Sequence, residues 1–66
     1  MNKLYELSSN QKVRIADNKV RVPPEGIPLK KGDIITFIKV DGMYAMCLND
    51  KDQFVHPAAW TLVEAI

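Results

Sequence analysis

Hydrophobic and polar residues alternate along this chain in short runs, and turn-forming residues separate the runs. The first run is Lys3 to Leu7, with Leu4 and Tyr5 as candidates for the inner face. Lys12-Val13-Arg14-Ile15 alternates strictly, with cations on one face. Lys19-Val20-Arg21-Val22 repeats the pattern, which fits a second strand or one limb of a long loop. Pro23-Pro24 ends it, because proline offers no N–H to a ladder. Ile34 to Val40 is the strongest strand and is apolar on both faces for part of its length, which predicts a central position. Asp41-Gly42 supplies residues that tolerate positive φ and predicts a tight hairpin into Met43–Leu48. Asn49 to Asp52 reads as a polar turn into Gln53–His56. Pro57 to Trp60 suits a single helical turn, since proline is tolerated at the first helical position. Thr61 to Ile66 closes as a strand. No window of helical length keeps a 3.6-residue apolar spacing free of breakers. The expectation is an all-β domain: a small barrel of five to six strands with one 3₁₀ turn near the C-terminus.

A chain of 66 residues holds one domain, so residues 1–66 are read as a single unit. Hydrophobic residues make up 47%, too many for a disordered tail. A core of this size leaves no room for a bulky cofactor, and none is expected. Cys47 is the only cysteine, which excludes an intramolecular disulfide. No signal-peptide pattern opens the chain, and no stretch approaches the ~20 apolar residues of a membrane-spanning helix. A reducing, cytoplasmic location without membrane association is the expectation. The net charge of +1 is unevenly placed. Residues 1–31 carry seven cations against Glu6, Asp17 and Glu25, a balance of +4. Residues 32–66 carry Lys39 and Lys51 against five carboxylates, a balance of −3.

Leu29-Lys30-Lys31-Gly32-Asp33-Ile34-Ile35 resembles the diverging turn of a Src-homology-3 (SH3) domain. Asp41-Gly42-Met43-Tyr44 lies where that family has a loop and an aromatic strand start, and Asn49 to Asp52 resembles its distal hairpin. Phe54 to Val63 is similar to the family's ending, with a strand, a proline, a 3₁₀ turn, an aromatic residue and a last strand. The resemblance is strongest over 29–65. It implies an SH3-like barrel and a groove for proline-rich peptides, with Pro57 and Trp60 at the 3₁₀ turn and Tyr44 near the groove floor. Stand-alone modules of this plan occur in bacteria and bacteriophages, which implies a small modulator, encoded by a phage, of a host protein. The first strand here holds no tyrosine, and the loop that is acidic in that family carries Lys19 and Arg21. A basic loop does not pair with the arginine of typical proline-rich ligands, so a different protein partner is expected.

Candidate chemistry narrows the choice. His56 and Cys47 could sit on neighbouring strands, but a free cysteine in an apolar strand behaves as a small buried hydrophobe. His56, before Pro57, is expected to brace the turn. One Cys and one His cannot make a zinc site, and Asp50-Lys51-Asp52 lacks the ligands of a calcium loop. No catalytic, cofactor or metal residues are therefore expected, and no enzymatic activity. Two binding surfaces remain. An outward Tyr44, Met46, Pro57 and Trp60 would form an aromatic protein-binding patch. Alternatively, Lys12, Arg14, Lys19 and Arg21 would share one side if their runs lay on adjacent strands, and would then suit nucleic acid or the ribosome.

Overall fold

The computed structural model describes residues 1–66. Six strands form: β1 (Asn2–Lys3), β2 (Lys12–Ile15), β3 (Ile34–Asp41), β4 (Tyr44–Asn49), β5 (Phe54–Val55) and β6 (Leu62–Ala65). They build one antiparallel sheet in the order β1-β6-β2-β3-β4-β5. There is no α-helix, and no ladder joins β1 to β5, so the sheet is open.

Alternation decides which face is buried. Val13 and Ile15 on β2, Ile35 and Phe37 on β3, Ala45 and Cys47 on β4, Val55 on β5 and Val63 on β6 point inward. With Leu4 they make one cluster of nine buried residues. No second sheet or helix covers that face, so the sheet must coil over it, as its intrinsic twist allows. Leu7, Val20, Ile27 and Leu29 from the connecting segments close the remaining gaps. The result measures 27 × 22 × 21 Å.

Local chemistry sets the corners. At Lys30–Asp33 the Asp33 N–H donates to the Lys30 carbonyl at 3.1 Å, and the Lys30 N–H donates to Asp33 Oδ2 at 3.0 Å. Gly32 sits at φ 97°, a conformation that L side chains rarely adopt. Asn49 Oδ1 accepts the N–H groups of Lys51 and Gln53, both at 2.9 Å, and so holds the turn between β4 and β5. In the middle of β3 the register shifts between Phe37 and Lys39. The extra residue, Ile38, turns its carbonyl to the Ser9 hydroxyl at 2.6 Å, which gives the bulge a partner outside the ladder.

Three expectations change, and for Lys19–Val22 the structure decides between the two readings left open. The run Lys3–Leu7 is a strand only at Lys3; Leu4–Glu6 is a 3₁₀ turn. Glu6 Oε1 accepts the Lys3 N–H at 2.7 Å and Leu4 O accepts the Leu7 N–H at 3.0 Å, which folds the backbone back on itself. Leu4 is thereby buried and Tyr5 exposed. Lys19–Val22 is not a strand, because β6 and β3 already occupy both sides of β2. It is the loop limb. The first hairpin turns on Gly42-Met43, one residue later than expected, because Asp41 still pairs with Tyr44. Last, Pro57–Trp60 holds no 3₁₀ turn; the only one is at the N-terminus. The register of β5 against β4 continues through the isolated Tyr44–Ala58 bridge. Ala45 N–H donates to Pro57 O at 2.7 Å and Ala59 N–H to Met43 O at 2.9 Å. A tight turn follows only at Ala58–Thr61, where Ala58 O accepts both the Thr61 N–H (3.0 Å) and the Thr61 hydroxyl (2.7 Å).

Candidate interaction surface

The phase of β4 settles which residues face out. Ala45 and Cys47 are fully buried, so Tyr44, Met46 and Leu48 take the outer face, half-buried. Tyr44 pairs with Asp41 on one side and Ala58 on the other, and Met46 pairs with Lys39. The continuous register of the β5 side places His56 beside Met46, also half-buried. Leu48 pairs with Phe54, which is 58% exposed. The outer face of the β4–β5 hairpin is thus an apolar strip with an aromatic at each end.

Trp60 follows in the turn that leaves this strip, and is 44% exposed. Pro57 has the opposite phase and is fully buried, so it supports the strip from behind and offers no surface of its own. Ala58 is 0% exposed although it pairs with the outward Tyr44. Its N–H donates to the Arg21 carbonyl at 2.8 Å, which lays the long loop against it. Residues 57–61 also bind the N-terminal segment, through Tyr5 N–H to Ala59 O and Leu4 N–H to Thr61 O, both at 3.1 Å. The backbone that carries Tyr44 and leads to Trp60 is therefore tied to three separate parts of the chain.

The cations do not gather on one strand pair. Lys12 and Arg14 share the outer face of β2, where Arg14 pairs with Glu64 across the ladder, Nη1 to Oε1 at 3.6 Å. Lys19 and Arg21 lie on the loop limb instead, both exposed. Lys12 borders a polar cleft of about 440 Å³ with Asp33, Asn49 and Asp50. That cleft is at the Asn49 end of β4, about 17 Å along the strand from Tyr44 at 3.4 Å per residue.

Cys47 and His56 do not form a nucleophile pair. Cys47 is fully buried on the inner face and His56 lies on the outer one. Burial pushes the Cys47 thiol up to about 12, only partly offset by its hydrogen bond to the Ile38 backbone, so it stays protonated at neutral pH. Thr61 braces the turn after Pro57, the role expected of His56. No three His, Cys, Asp or Glu side chains group so as to hold a metal ion, and no helix is long and apolar enough to cross a membrane.

Two members of this surface, Phe54 and His56, carry no assigned phase in the sequence, although their alternation with buried Val55 encodes it. Arg21, a sequence candidate for a basic face, instead reaches the strip through its main-chain carbonyl, which leaves no side-chain signal. No protein-family model, curated protein or solved structure matches the chain.

Proposed function

We propose that this chain is a non-catalytic protein-interaction module of SH3-like plan, acting as a small modulator of a larger protein partner. The binding surface is the aromatic strip of Tyr44 and Met46 with Trp60 at its end, backed by Pro57. The observation that carries the reading is Trp60, 44% exposed in a turn whose backbone is bonded to β4 and to the N-terminal segment. Aromatic side chains held on a rigid frame lose little entropy on binding and dominate interface energies. The diverging turn at Lys30–Asp33 and the long loop laid against the strip support the SH3-like plan, as does an outer aromatic at the start of β4. A lone cysteine buried in the core suits a reducing cytoplasm.

The test is capture of cellular proteins by the immobilised domain, compared with Tyr44→Ala, Trp60→Ala and the double variant. Far-ultraviolet dichroism establishes that each variant is folded. The expected outcome is loss of the bound protein with either change and complete loss with both. Unchanged capture by the folded double variant would sink the reading.

A further inference from the structure

The charged side chains around the aromatic strip lean positive: Lys19, Arg21 and Lys39 stand against Asp17 and Asp41. Ala58 lies between Tyr44, its ladder partner, and Arg21, whose carbonyl takes its N–H. Neighbouring strands are about 4.8 Å apart, so the Arg21 and Tyr44 backbones stand about 10 Å apart across Ala58. Ala58 itself is fully buried. Lys39 pairs with Met46 on the far side of the strip, and Lys19 lies two residues before Arg21. Lys19, Arg21 and Lys39 are all exposed, and none takes part in an ion pair: the one pair in the molecule is Arg14–Glu64. The carboxylates nearby offset them only in part. Asp17 keeps its charge but is in no ion pair, its oxygens accepting the Lys19 N–H at 3.4 Å and the Leu62 N–H at 3.2 Å. Asp41, opposite Tyr44, is the only acidic residue in the ladder rows of the strip.

We infer that this surface takes an acidic segment of a partner protein. One apolar side chain of that segment packs on Tyr44, Met46 and Trp60, while its carboxylates pair with Arg21, Lys19 and Lys39. Guanidinium matches carboxylate geometry, and unpaired cations beside an apolar anchor site supply the complementary field. A nucleic acid fits less well: Lys12 and Arg14 lie on β2, away from Lys19 and Arg21, and Arg14 is paired with Glu64, so the cations form no continuous track for a phosphate backbone. This inference rests on the aromatic-strip reading, and the two can fail separately.

Trp60 is the only tryptophan, so its emission reports on the site directly. The probes are a short peptide of alternating Glu and Leu, its Lys and Leu counterpart, and an oligothymidylate of similar length, added to the whole chain. The Glu/Leu peptide should shift Trp60 emission and the amide resonances of residues 43–46 and 58–60. The double variant Lys19→Glu/Arg21→Glu should weaken that binding at least tenfold or so, since like charges then face each other. Raising salt from about 50 to about 500 mM should weaken it as well. Equal binding of the Lys/Leu peptide, no response to charge reversal, or tighter binding of oligothymidylate would each overturn the inference. If charge reversal leaves capture of the cellular partner intact while Tyr44→Ala and Trp60→Ala abolish it, the strip stands and the acidic partner falls. If none of these changes affects capture, both readings fall.

Discussion

The segment from Ile34 to His56 and the segment from Ala16 to Asp33 solve the problem of order differently. The first is a three-stranded meander whose inward residues Ile35, Phe37, Ala45, Cys47 and Val55 are buried almost completely. Its backbone groups find partners in ladders. The second has no strand at all. It is pinned at discrete points: Asp17 on Leu62, Ala16 N–H on Leu62 O, Arg21 O on Ala58, and the Gly32 and Ile15 N–H groups exchanged between the loop end and β2. Val20, Ile27 and Leu29 add only partial burial. The Lys19–Val22 run alternates as cleanly as Lys12–Ile15. What it lacks is a place beside β2, whose two sides are taken by β6 and β3, and it is held by single bonds as a tethered loop.

The sharpest way to break this contrast is to remove one apolar side chain from each segment. Phe37→Ala should cost about 3–5 kcal/mol, enough to unfold most of a domain this small at room temperature. Val20→Ala should cost well under half of that, because half-buried Val20 loses fewer contacts. Urea titration followed by dichroism reads both. Similar costs would mean that the loop is as much core as the meander.

Alkali probes the meander alone. The Cys47 thiol lies at about 12 in the folded chain against an ordinary 9.0. Between those values the unfolded chain has lost the proton and the folded chain keeps it. The unfolded state then binds fewer protons, so stability falls as pH rises through that window and is fully present below it. The measurement is the difference from Cys47→Ala. Midpoints of urea unfolding should decline less steeply above pH 9 in the variant. Equal slopes would show that Cys47 is not the buried group responsible.

The loop's pins are weaker individually. Asp17→Ala removes the acceptor for Leu62 N–H and Lys19 N–H and should cost about 1–2 kcal/mol. It should also raise amide hydrogen exchange across residues 16–22 while leaving β3 and β4 protected. Uniformly faster exchange would mean that loop and sheet open as one unit. Smallest of all is Arg14→Ala: both partners of its pair with Glu64 are close to half exposed, so the loss should stay below about 1 kcal/mol and vanish in high salt.

Much of the meander was legible in the residues. Isolated turns with a chemical cause, Lys30-Lys31-Gly32-Asp33 and Asn49 to Asp52, stand where expected, because their hydrogen bonds are local and a few residues encode them. The bulge at Ile38 was not legible, since its partner Ser9 lies 29 residues away in sequence. The Pro57 turn misled for a different reason. Proline suits the start of a helix, but it also suits a strand position whose N–H is not needed, and the ladder from Phe54 onward chose the latter. At the candidate surface, Met43 to Leu48 is apolar in both phases, so Tyr44 and Met46 could be paired with each other but not assigned a face. Tertiary burial of Ala45 and Cys47 made the assignment.

The position of β6 also governs how the molecule is made. Both its ladders reach back to the beginning of the chain: Val63 pairs with Asn2 and with Ile15, and Ala65 with Val13. The β3–β4 and β4–β5 hairpins close loops of only a few residues, whereas docking β6 closes nearly the entire polypeptide. Loop closure must precede the contacts that reward it, so the meander is expected to form before β6 docks. Until it does, the central cluster lacks its Val63 wall.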